Sequence, residues 1–212
     1  DILVLLSRPL PDKPVESAIE RFIGLLWDAG IEVAHSVRTV DDCETEMASD
    51  VTLRTSLLEH RLLDGSPALY ARFRRHFLAT LDVRGFYEAK ALEQQQRHLR
   101  YQDTAYNLEP NLKESPGGLR DLQTILWIAR AAGFGHTWRE LARHELMTVH
   151  EAREVARHER LIDELRIRLH YMAGRCEDRL VFDVQTALAG EMGNTGQIYA
   201  YEIVPPSPAA EL

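Results

Sequence analysis

Lys90, Gln94, Arg97 and Tyr101 stand at spacings of 4, 3 and 4 in the segment KALEQQQRHLRY, so on a helix they share one face. That face gathers two cations and several hydrogen-bond donors, a set suited to phosphate oxygens. It fits equally well a solvated face on which Lys90 touches Gln94 and Glu93 pairs with Arg97. Further on, NLKESPGGLRDLQTILW (residues 111–127) sets Pro116, Gly117 and Gly118 just ahead of an apolar helical run. Glycines let a ligand approach the backbone closely, and free N–H groups at a helix start favour an anion. Lys113 and Arg120 would add charge to such a cradle. The alternative is a plain turn, with Asp121 only satisfying the helix dipole.

Two acidic residues have a different setting. Asp1 directly precedes the apolar run Ile2 to Leu6, and Glu32 is the second residue of the β-rich stretch IEVAHSVRTV. Carboxylates at the ends of neighbouring strands can bind a divalent cation, since Mg²⁺ takes a few carboxylate oxygens plus substrate phosphates. Solvent-facing strand acids are the alternative. His35, His98, His136, His144, His150, His158 and His170 form no pair at metal-ligand spacing. Cys43 and Cys176 lack a CxxC or Cys/His pattern, which argues against a zinc site or a disulfide framework. No GxSxG, P-loop or His-Asp dipeptide occurs, so the sequence gives no sign of a serine hydrolase, a Walker-type NTPase or an HD-type phosphohydrolase.

The elements that would position these residues divide into two textures. Ile2 to Leu6 reads as a buried strand closed by Pro9 and Pro11. Pro14 to Ala29 carries Val15, Ile19, Phe22, Ile23, Leu26 and Trp27 at helical spacing, with Gly30 as the stop. A second strand follows, with Ile31, Val33 and Val37 toward a core. From Asp41 onward helices are expected over 41–49, 51–64, 66–79, 85–103, 118–132, 137–144, 148–172 and 180–191. In the helix after the Gly-Gly pair, Leu122, Ile125, Leu126 and Ala129 form a core stripe widened by Trp127 and Ile128. The fold class is therefore mainly α, a helical bundle after a small α/β piece: residues 1–40, then 41–192, then a linker-like tail over 193–212.

The 212 residues suffice for one large domain or two small ones. A net charge of -8 excludes a general nucleic-acid binder, which needs a concentrated basic surface, so an anion would have to be met by a local cluster. No apolar stretch is long enough to span a bilayer and none reads as a cleavable signal, which points to a cytoplasmic protein without membrane contact.

Taken together, LLWDAGIEVAHSVRTVDDC, LLEHRLLDG, EQQQRHLRYQDTAYNLEPNLKESPGGLRDLQTILWIAR and RCEDRLVFD closely resemble the bacterial PII uridylyltransferase/uridylyl-removing enzyme family, from Asp1 to about Met192. The resemblance implies a DNA polymerase beta-type nucleotidyltransferase fold, here the end of that domain followed by its helical companion. It implies transfer of UMP from UTP to a tyrosine of the PII nitrogen-signalling protein with Mg²⁺. An HD domain that removes UMP and domains that sense glutamine would lie outside this stretch. By position, Asp1 is similar to the second acid of the superfamily's Asp-x-Asp, and Glu32 to its third carboxylate. The Gly turn and first aspartate of that pattern do not occur here, so this stretch alone is expected to be inactive. Lys90, Arg97, Lys113, Gly117, Gly118 and Arg120 become candidates for the helical wall of a UTP site, facing the carboxylates. The glutamine synthetase adenylyltransferase family has a similar Gly-Gly-x-Arg-acid element before a helix. A non-catalytic helical module docking PII or other domains of the same enzyme is the competing expectation.

Overall fold

The first strand, β1 (Ile2–Leu6), coincides with the apolar run, and a crossover helix, α1 (Lys13–Asp28), leads to β2 (His35–Thr39). The strands pair in parallel from Ile2↔His35 to Leu6↔Thr39, the pairing that a β-α-β crossover permits. The computed structural model describes residues 1–9, 13–31, 33–48, 50–101, 103–104 and 106–193. Glu32 and the tail 194–212 lie outside them. Among the described residues there are nine helices and one two-stranded sheet, a mainly α chain. It forms two compact units, Asp1–Asp82 and Val83–Leu212, so the helices up to residue 80 share a unit with the strands.

In the first unit, β2 runs directly into α2 (Val40–Met47). Thr39 caps that helix, its hydroxyl accepting from Asp42 N while Asp42 accepts from Thr39 N, a reciprocal capping box. Then come α3 (Val51–Leu58), capped by Asp50, and α4 (Pro67–Thr80), capped by Ser66 with proline in its first turn. Ile23, Val40, Cys43, Met47, Leu57, Leu58, Phe73 and Phe77 are buried. Burial pushes the Cys43 thiol up to about 11.

Three expectations change here. The second strand begins at His35 rather than Ile31, because the register pairs Ile2 with His35, and Ile31 is exposed. On α1 only Ile23 is buried, while Phe22 and Trp27 are exposed. The third helix stops at Leu58 instead of 64: the His60 ring turns back, its Nδ1 donating to the Leu57 carbonyl and its faces meeting Tyr70, Phe73 and Phe77 edge-on.

In the second unit, α5 (Val83–Arg100) packs on α6 (Leu119–Ala131). Then come the short α7 (Trp138–Arg143), the long α8 (Val149–Ala173) and α9 (Phe182–Glu191). One core cluster joins Leu112 and Leu119 to Ile162, Leu165 and Leu169 of α8 and to Leu180 and Leu188. A second joins Ala129 to Trp138, Leu141 and Ala152. The buried face of α6 is rotated from the expected stripe: Asp121, Thr124 and Trp127 are inside and Ile125 is exposed. The reason is polar. Asp121 finds its partners on α5.

Candidate functional site

The stretch between α5 and α6 is built from its own polar groups. Asn111 Oδ1 accepts from the Lys113 and Glu114 amides, at 3.0 and 2.7 Å, and Ser115 Oγ accepts from Asn111 N at 2.9 Å. Leu112 N donates to the Asp178 carbonyl at 2.7 Å and Leu180 N to the Pro110 carbonyl at 2.9 Å, so the segment before α9 holds the loop from one side.

At the start of α6 the amides have acceptors. Gly118 N donates to Ser115 O, Leu119 N to Leu112 O, Arg120 N to Lys113 O and Asp121 N to Gly118 O, all at 2.8–3.0 Å. The free N–H groups that would make a backbone anion cradle are thus occupied by the loop's own carbonyls. A ligand here would be met by side chains.

Asp121 is the centre of the arrangement. Its Oδ1 accepts from Arg97 Nη2 at 2.5 Å and Gln94 Nε2 at 2.9 Å, and its Oδ2 accepts from Gly117 N at 2.7 Å. His98 Nε2 lies 2.9 and 3.0 Å from the two oxygens. Burial pulls the Asp121 carboxyl upward, but the hydrogen bonds from Arg97, Gly117, His98 and Gln94 outweigh it and hold the group below the usual aspartate range. Arg97 also donates to the Glu114 carbonyl at 2.9 Å. Of the four residues expected on one helix face, Gln94 and Arg97 both reach Asp121, Lys90 pairs with Glu93 at 2.8 Å, and Tyr101 lies beyond the end of α5 at Arg100.

Lys90 and Arg97 are both buried, with side chains 4% and 7% exposed. Lys90 Nζ sits 4.8 Å from the Trp127 ring centroid and Arg120 Cζ 5.3 Å from it, so one indole holds two cations. Arg120 keeps a quarter of its side chain exposed and makes two long contacts of 3.3 Å to Glu114 Oε1, plus one of 2.9 Å to Gln123. Lys113 is half-buried, and its ammonium helps lower Asp178, for which burial raises the pKa and hydrogen bonds from Arg166 and His170 more than reverse it. The structure thus gathers Arg97, Lys113, Gly117, Gly118 and Arg120 around one loop, with Lys90 buried against Trp127 of α6. Sequence reading missed Asp121 as the hub and His98 as its partner. The signal was Asp121 after the glycines, read only as a dipole feature when its carboxylate is tied to side chains of α5.

Asp1, in the first unit, is exposed and lines a cavity of about 780 Å³ with Ser36, Arg38, His60, Arg61 and Tyr70. Carboxylate oxygen suits Mg²⁺. Among the described residues no group of three or more His, Cys, Asp or Glu gathers as for a metal ion, and Glu32 lies outside them. The described donors do not by themselves complete a Mg²⁺ site.

A family model described as GlnD PII-uridylyltransferase matches residues 85–202, more than half of the chain and all but the first two residues of the α5-to-α9 assembly. The chain is 57% identical over 196 residues to the bifunctional uridylyltransferase/uridylyl-removing enzyme of Burkholderia thailandensis, and 58% identical over 193 residues to that of Burkholderia lata. Each comparison covers 91% of this chain and 22% of the relative, so the chain spans about a fifth of the length of the curated relatives it matches. No solved structure matches. A family match that takes in α5, the Gly-Gly loop and the helices packed on them places the loop in the family's own framework: the chain belongs to the GlnD PII-uridylyltransferase family.

Proposed function

We propose that this segment serves a nucleotidyltransferase that moves UMP from UTP onto a tyrosine of the PII protein in cytoplasmic nitrogen signalling. The observation that carries this reading is the match of residues 85–202 to the family model. Identity of 57% across 91% of the chain to enzymes named for uridylyl transfer and removal supports it. In the reaction, the tyrosine oxygen attacks the α-phosphorus of UTP and a new O–P bond forms. The bond to the bridging oxygen of the β-phosphate breaks, and pyrophosphate leaves in line. Binding and charge neutralisation are what a protein contributes to such a step.

In this reading Lys113 and Arg120, which keep exposed surface, contact the triphosphate. Lys90 and Arg97 support them from below, and Gly117 and Gly118 set the turn. Asp1 and Glu32 are the carboxylates assigned to Mg²⁺, on donor chemistry alone. Removal of UMP and the response to glutamine belong to other parts of the intact polypeptide.

The test uses the intact polypeptide that carries this segment, purified PII, labelled UTP and Mg²⁺. Asp1→Ala and Glu32→Ala are each expected to abolish labelling of PII. Lys113→Ala and Arg120→Ala are expected to raise the KM for UTP on the order of tenfold each, the scale for a lost charged contact. Full labelling by both carboxylate variants would remove the metal assignment. PII binding by calorimetry with no nucleotide affinity would replace the transferase reading with a docking module.

A further inference from the structure

We propose that Asp121 is a positioning residue for the nucleotide step: its buried carboxylate ties the Gln94, Arg97 and His98 side chains of α5 to the Gly117 amide, fixing the turn that presents Lys113 and Arg120. This rests on the reading of the loop as part of a UTP site and adds a residue that touches no substrate.

The geometry goes beyond what a helix start requires. Asp121 is the third residue of α6, where an acid commonly reaches back to the amide of the capping residue. Here the capping residue Gly118 donates instead to the Ser115 carbonyl, and Asp121 reaches one residue further, to Gly117 N at 2.7 Å. An exposed carboxylate would serve the helix dipole equally well. This one is 9% exposed and takes three α5 side chains besides the amide, so its negative charge is retained inside the protein by donors from two elements. Arg97 extends the tie by donating through Nη1 to the Glu114 carbonyl, while Nη2 holds Asp121. The same guanidinium thus fixes both flanks of the Pro-Gly-Gly turn.

The tie presents two cations. Arg120 stands over Trp127 with Nη1 held by Gln123 at 2.9 Å, while its Nε and Nη2 make only long, 3.3 Å contacts to Glu114 that a phosphate oxygen could replace, and Glu114 is itself fixed through its main chain by Arg97. Lys113 O accepts from Arg120 N at 2.8 Å, which couples the two residues through one backbone hydrogen bond. Removing the Asp121 charge therefore changes where Lys113 and Arg120 sit without deleting either.

Asp121→Asn keeps the side-chain shape but turns an amide NH₂ toward at least one of four donors. In the intact enzyme it is expected to raise the KM for UTP on the order of tenfold to a hundredfold, the scale of a small misplacement of binding groups. The KM for PII should stay within about twofold, and the far-ultraviolet circular dichroism should match the parent. Gln94→Leu, which removes one donor to the same carboxylate, should give a smaller rise of about threefold in the KM for UTP, and it carries the test if Asp121→Asn does not fold. A fall in kcat with both KM values unchanged, as a smaller folded fraction would give, overturns the proposal. So does an unchanged KM for UTP in Asp121→Asn, or in Gln94→Leu if Asp121→Asn does not fold, while Lys113→Ala or Arg120→Ala raises it. If none of these variants moves the KM for UTP, the reading of the loop as a nucleotide wall fails first, and the positioning role fails with it.

Discussion

Gly117 and Gly118 adjoin in sequence and are needed for different reasons. Gly117 has φ +79 with open space around the position of a Cβ, so only its backbone conformation favours glycine. Gly118 has an ordinary extended φ of -77, yet a Cβ there would lie 2.9, 2.9 and 3.0 Å from the carbonyl oxygens of Lys113, Ser115 and Leu112. Those oxygens are the acceptors that close the start of α6, and backbone cannot swing aside. Gly117→Ala is expected to cost about 1 kcal/mol and Gly117→Asn less, since Asn tolerates the left-handed region. Gly118→Ala is expected to cost about 2–3 kcal/mol, with no side chain restoring it. Urea unfolding of the three variants checks the order, and equal costs at both positions would contradict the crowding around Gly118. The sequence already showed that backbone freedom mattered here. It did not show that the space beside Gly118 is filled by the protein's own carbonyls, because that depends on Leu112 and Ser115 folding back over the turn.

Helices were the most legible level. Helical periodicity located α2, α4, α6 and α8 to within one or two residues, and in the structure Thr39, Ser66, Gly118 and Thr148 stand at their N-caps. The misreadings came where a tertiary partner decides. The second strand starts where β1 offers a partner, and α3 ends where His60 finds an aromatic cluster. The best-marked element is α8, 25 residues long, with a reciprocal Thr148/Glu151 capping box at one end and left-handed Gly174 at the other. It supplies Ile162, Leu165 and Leu169 to the core cluster that includes Leu112 and Leu119, so its stability reaches the loop. Thr148→Ala is expected to destabilise by about 1 kcal/mol and Gly174→Ala by a similar amount. Thermal melts followed at 222 nm should show both losses and their near additivity, since the sites lie at opposite ends of the helix.

Across the whole molecule, the candidate site depends on charges held by folding, and this sets its response to acid. In the second unit Asp121 ties the loop to α5. Asp178, through its own carbonyl to Leu112 N and its carboxylate to Arg166 and His170, ties the loop to α8. Both carboxyls are held below the ordinary aspartate range, burial opposing and hydrogen bonds prevailing. A folded-state pKa below the unfolded value means that the stability is fully present above about pH 3.9, the unfolded value, and is lost as pH falls through the folded pKa. Asp163 has the opposite sign, raised by burial against the pull of Arg166, and relieves part of this loss on acidification. The α5 donors to Asp121 lie 23–27 residues away along the chain, beyond the reach of helical periodicity, and only Gly117, four residues before it, is a local partner. The expected outcome is a urea midpoint that is flat with respect to these groups from pH 7 to about pH 5 and falls steeply below pH 4. Asp121→Asn and Asp178→Asn should each lower the midpoint at pH 7 and flatten its acid limb, because each removes a group whose protonation drives that limb. An acid limb as steep in both variants as in the parent would place the acid sensitivity in carboxylates away from the loop.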